Sequence, residues 1–125
     1  MNKNQYMKRQ PQIFIEHILE SIKLIEEYTA GVTKDEFIAS VRIQDMVIRR
    51  LEIIGEAVKR IPDDIKLLSP ETPWKKISGM RDVLIHEYFG VDLKLTWEVI
   101  QKELPPLKKS IEVIRQQLGQ HRLDL

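Results

Sequence analysis

Apolar residues recur at three- and four-residue steps along most of this chain, and at no point do they alternate persistently with polar ones every second position. Such spacing lines one face of an α-helix, whereas a strand facing a core needs a period of two. After Pro11 the helical step is carried by Ile15, Ile18, Leu19, Ile22, Ile25 and Tyr28, with Glu16, Glu20, Glu26 and Glu27 on other faces. Gly31 supplies a stop, because glycine takes the left-handed conformation that closes helices. Thr33-Lys34-Asp35-Glu36 reads as a capping box, and the helix it opens is predicted to run to about Arg60. Phe37, Val41, Ile48 and Leu51 form one stripe on it; Ile43, Val47, Ile54 and Ile61 form a second, so it should pack against more than one neighbour. Gly55, which costs about 1 kcal/mol against alanine in a helix interior, predicts a close approach of another backbone. Gln44, Asp45, Arg49, Arg50, Glu52 and Glu56 fill the other faces as solvated or paired residues, Glu56 with Arg60 among them.

The remaining punctuation divides the second half. Ile61-Pro62-Asp63-Asp64 ends the long helix, and a short one is expected over 63–68. Ser69-Pro70-Glu71-Thr72-Pro73 is a loop whose last two residues suit the start of another helix. That helix takes Trp74 and Ile77 into the core and stops before Gly90. Asp92 caps a further helix through Leu95, Trp97, Val99 and Ile100, Trp97 being read as core. Pro105-Pro106 then kinks or breaks the chain, and Leu107, Ile111, Ile114 and Leu118 mark a last helix ending at Gly119. The expected fold is all-α: an antiparallel up-and-down bundle of four to five helices. Residues 1–10 are expected as a flexible N-terminal arm, 11–119 as one domain and 120–125 as a C-terminal tail.

Composition mainly excludes. A net charge of +1 argues against a strongly basic nucleic-acid grip, though not against a local basic groove. The absence of cysteine removes disulfides and thiolate chemistry. No apolar run approaches the ~20 residues of a membrane span, and Met1-Asn2-Lys3-Asn4-Gln5 does not resemble a signal peptide, so a cytoplasmic protein is expected. The sequence has no Gly-rich phosphate loop, His-Glu-x-x-His helix, Ca²⁺ loop or Gly-x-Ser-x-Gly elbow. Glu16, His17 and Glu20 lack the facing Glu-x-x-His that a di-iron site needs, and no cofactor is expected.

What elimination leaves is Gly79 to Gly90, where Arg81, Asp82, His86 and Tyr88 stand among large apolar residues. A permanently charged guanidinium near an imidazole that titrates close to neutrality suits phosphate chemistry. The plainer alternative is an i,i+4 surface pair of Asp82 with His86. At 3.6 residues per turn Arg81 and Tyr88 lie almost on one line, but His86 lies well round the cylinder from Arg81. A straight helix therefore cannot close Arg81 tightly onto His86. Either the last turn distorts, or a second chain supplies the other half.

Arg81, four residues, His86, one residue and Tyr88 resemble the Arg-x4-His-x-Tyr signature of the HepT-like branch of the HEPN superfamily. The flanks are similar too: Gln44-Asp45 through Arg49, Leu51-Glu52-Ile53-Ile54-Gly55-Glu56-Ala57, Lys59-Arg60, Pro73-Trp74, Val83-Leu84, Phe89-Gly90-Val91-Asp92 and Trp97. Similarity spans roughly Ile13 to Leu118. The resemblance implies a homodimeric helical bundle and a metal-independent endoribonuclease toxin acting on RNA such as tRNA or mRNA. Arg81 and His86 would be catalytic, with Asp82 supporting them. It also implies an MntA-type minimal nucleotidyltransferase antitoxin as partner, which silences the toxin by transferring AMP to Tyr88. A different class of reading makes the chain a non-catalytic helical subunit that docks on a nucleotidyltransferase and helps present its substrate.

Overall fold

The computed structural model describes residues 3–86 and 92–123, with side chains over 11–80, at 82 and over 92–119. Helix α1 spans Lys3–Thr29, α2 Lys34–Ala39, α3 Val41–Arg60, α4 Asp63–Lys66 and α5 Trp74–His86. Helix α6, Leu93–Glu98, passes through a π-helical turn, Val99–Glu103, into α7, Leu104–Leu123. No strand occurs among the described residues, and the all-α expectation holds. Four long helical runs carry the fold, with α2 and α4 as short links.

One core serves all of it. Ile15, Ile18, Ile22 and Ile25 of α1 face Val47, Leu51, Ile54 and Val58 of α3 and Leu107, Ile111 and Ile114 of α7, each essentially sealed from solvent. Fully burying one such side chain is worth about 1.5–3 kcal/mol against leaving it exposed. Helices α1 and α7 run antiparallel, since Glu26 pairs with Lys108 at 3.0 Å while the earlier Glu16 pairs with the later Arg115 at 3.4 Å. Gly31 closes the α1 turn at φ +72°, where its lack of a Cβ is required.

The long helix expected from Thr33 to Arg60 is in fact two. The N-cap half of the expected box forms, the Glu36 amide donating to Thr33 Oγ1 at 3.2 Å, while the Glu36 carboxylate accepts from the Thr33 hydroxyl at 3.1 Å. Ser40 then leaves helical geometry at φ −110°, ψ 99°. Its amide closes α2 on the Phe37 carbonyl, and its Oγ accepts from the Ile43 amide to open α3. Gln44 Nε2 donates to the carbonyls of Phe37 and Ile38, both at 2.9 Å, so the break leaves them satisfied. Because α2 takes its own direction, Phe37 packs into the core against Trp97, ring centroids 5.4 Å apart, while Val41 is 68% exposed instead of joining the stripe.

Three further boundaries differ from the sequence reading. Helix α1 starts at Lys3, ahead of Pro11, and holds that proline buried inside it. Helix α7 runs through Gly119 to Leu123. Pro105-Pro106 does not interrupt the last helical run. Neither proline has an amide to donate, and the π turn just before them absorbs the loss, with the Leu104 amide reaching back to the Val99 carbonyl. The wider turn also serves packing. Thr96, Ile100 and Leu104 are all buried at successive four-residue steps, although a strict α-helix would rotate the third about 80° from the first.

Candidate functional site

Helix α5 carries the Arg81–His86 segment, and its start is anchored firmly. The Trp74 indole Nε1 donates to the carbonyls of Lys66 and Ser69 at 3.1 and 3.0 Å, tying the α4–α5 loop to the first turn of α5. Thr72, expected as a side-chain cap, is buried instead in a hydroxyl cluster. Its Oγ1 lies 2.6 Å from Ser69 Oγ and donates to Ser110 Oγ of α7 at 3.0 Å. The Ile77 amide bonds the Pro73 carbonyl at 3.0 Å, and the Ile77 side chain is buried in the core. Lys76 pairs with Glu103 at 2.9 Å, linking α5 to the π turn. Helix α5 packs on α3, in which Gly55 is buried.

Arg81, Asp82 and His86 all fall within α5, and Asp82 is exposed. The side chains of Arg81 and His86 lie outside the described residues, as does Tyr88 altogether. The helical backbone over 81–86 separates Arg81 from His86 by about 140° round the axis and about 7.5 Å along it. Asp82, four residues before His86, shares its face. On the far side of this segment Asp92 caps α6, accepting from the Leu95 amide at 3.1 Å. Arg81 and His86 thus lie in the core-packed α5, and the side-chain-capped α6 follows it in the chain.

A second feature was not singled out from the sequence. An open cleft of about 310 Å³ lies between α1 and α3, lined by Phe14, His17, Arg49, Ile53, Ala57 and Arg60 together with Glu52 and Glu56. Its charges are paired along α3, Arg49 to Glu52 at 3.7 Å and Arg60 to Glu56 at 3.5 Å, and the Arg60 guanidinium sits 5.9 Å from the Phe14 ring centre. The only signal in the sequence was the spacing of those charges. Among the described residues no group of three or more His, Asp or Glu is placed to hold a metal ion, and no helix is long and apolar enough to cross a membrane.

Comparison with known proteins supplies the rest. The family model described as ribonuclease HepT-like matches residues 18–114. The chain is 47% identical over 109 residues to the "Probable ribonuclease HepT" of Thermococcus cleftensis, covering 87% of this chain and 99% of that protein. It is 42% identical over 106 residues to a "Putative RNase" of Caldanaerobacter subterraneus, covering 85% and 95%. It is also 50% identical over 116 residues to a "Gamma-glutamylcyclotransferase and putative RNase" of Methanocaldococcus jannaschii. There it covers 93% of this chain but spans only about half, 52%, of the longer relative. No solved structure matches the chain. With the match running through α1, α3, α5 and α7, and so through the helix that carries Arg81 and His86, the chain belongs to the HepT-like ribonuclease family.

Proposed function

We propose that this chain is an endoribonuclease toxin whose site is built from Arg81 and His86 of two subunits, with Asp82 supporting His86. The observation that carries the reading is the presence of Arg81 and His86 on one core-anchored helix in a chain of this ribonuclease family. In the proposed step a base takes the proton of a 2′-OH, the freed oxygen attacks the adjacent phosphorus, and the 5′-oxygen leaves with a proton from an acid. The products are a 2′,3′-cyclic phosphate and a 5′-OH. One His86 serves as base and the other as acid, each proton transfer being worth roughly 10²–10⁴ in rate. Arg81 forks onto the phosphoryl oxygens and stabilises the charge that develops there. The angle of about 140° between the two residues within one helix is the reason for drawing on two subunits.

Silencing follows from Tyr88. An MntA-type nucleotidyltransferase antitoxin would activate the phenol to attack the α-phosphate of ATP, joining AMP to Tyr88 and releasing pyrophosphate. The added phosphate charge and nucleotide bulk would then stand two residues from His86 and obstruct RNA.

The test uses purified protein with total RNA in EDTA, beside Arg81→Ala and His86→Ala. The wild type is expected to cut, each variant at least about 100-fold more slowly, with circular dichroism unchanged. Equal cutting by wild type and both variants, or no cutting by any of them, overturns the nuclease reading. Mass spectrometry after co-expression with the nucleotidyltransferase should find one AMP on Tyr88; a neutralised complex with unmodified Tyr88 refutes the silencing mechanism.

A further inference from the structure

One line of α5 lies on the side opposite the buried Ile77 and ends at His86. Lys75, Gly79, Asp82 and His86 follow one another along it at steps of four, three and four residues, within about 60° round the helix. Lys75 and Asp82 are exposed, and a Cβ on Gly79 would meet nothing within 4 Å. Bare backbone is therefore open between two charged side chains. Lys75 and Gly79 both make the helix less stable, and packing explains neither. Glycine inside a helix is less stable than alanine, and here neither a positive φ nor a crowding neighbour requires it. Lys75 stands in the first turn, where the helix dipole disfavours a cation and no acidic residue offsets it. Its neighbour Lys76 pairs with Glu103 at 2.9 Å, whereas Lys75 has no ion pair among the described residues.

We infer that this line of α5 is a track for the RNA strand, in which Lys75 binds a phosphate other than the one that is cut and Gly79 lets the strand lie against the helix backbone. The inference rests on the nuclease reading for its ligand and extends it to two residues that reading does not use. Lys75 and His86 stand about 17 Å apart along the axis, too far to serve one phosphate. A lysine ammonium is a compact point charge on a flexible stem, suited to holding a phosphate whose position varies, while the planar fork of Arg81 suits the one that reacts. Asp82 repels phosphate from the middle of the line, so the phosphates of the strand settle toward its two ends. Close approach of backbone to a ligand is a place for glycine, and a larger side chain at 79 would lift the strand off α5. Contacts of this kind position a strand without reading its bases. They also fit a chain whose net charge of +1 leaves only a local basic contact for RNA.

Lys75→Ala and Gly79→Leu test it on the full chain. Binding of an RNA oligonucleotide is followed by fluorescence anisotropy at several salt concentrations in a His86→Ala background, and kcat and KM are measured in EDTA with His86 in place. Lys75→Ala should weaken binding at least about threefold at low salt and reduce the slope of log affinity against log salt by about 0.7, the signature of one phosphate contact on a single strand. Gly79→Leu should weaken binding too, while melting no lower than wild type, because leucine is the better helix former. Both should raise KM and spare kcat, since the lost contact is remote from the reacting atoms. Lys23→Ala, the same charge change at an exposed position on α1, should leave affinity and slope near wild type. Lys75→Ala binding no more weakly than Lys23→Ala, a fall in kcat with KM unchanged, Gly79→Leu binding as tightly as its parent, or a change in sedimentation that accounts for the loss overturns the inference. If wild type cuts RNA and both variants keep its KM, the track fails and the nuclease reading stands. If no protein cuts RNA but Lys75→Ala still lowers the salt slope, the nuclease reading fails and the track stands.

Discussion

Trp74 shows how much a single side chain does for the placement of the motif. Its ring packs on the core while its Nε1 closes two loop carbonyls, so α5 starts at a defined point and direction. Trp74→Phe keeps an aromatic ring and removes the donor. Urea unfolding should show a loss of about 1–2 kcal/mol, the usual net worth of such bonds. The sequence marked Trp74 as a core anchor from its size and apolar character. It could not mark the bond to the Lys66 carbonyl, because that contact depends on how the 67–73 loop folds back. Thr72 makes the same point in reverse: its place before Pro73 suggested a cap, and proximity to Ser110, 38 residues away, redirected the hydroxyl.

At the scale of elements, local chemistry predicted starts better than lengths. The caps at Thr33 and Asp92 form as their residue types require, since a short oxygen-bearing side chain three residues before an amide needs no tertiary help. Thr33→Ala should cost about 1 kcal/mol in the same denaturation measurement, with Thr33→Ser close to wild type. Lengths were decided by packing. Periodicity runs through Ser40 without a visible break, yet Ser40 ends α2 and caps α3 while Phe37 packs on Trp97. Proline-rich Leu104–Leu107 read as either a kink or a break, and the buried line Thr96, Ile100, Leu104 holds α6 and α7 together through a π turn.

At the scale of the whole molecule, helices distant in the chain are stitched by exposed pairs over the common core. Lys108 of α7 is held protonated above its ordinary 10.5 by the hydrogen bond and charge of Glu26 on α1. The sign follows: a raised folded pKa contributes stability fully below 10.5, and that contribution is lost as pH rises through the folded value. Lys108 should titrate lower in Glu26→Gln than in wild type when followed by NMR, with only a small change in stability because the ammonium is exposed. By itself the sequence determined that the chain is helical, which residues face inward on α1 and α7, and that Arg81, Asp82 and His86 share one helix. Those properties follow from the period of the helix and from side chains a turn apart. Only the tertiary structure decided where helices divide, that Val41 turns to solvent, and that a π turn carries the chain past two prolines. Each of these turns on which distant residues compete for the same buried volume, and a pattern of near neighbours does not encode that.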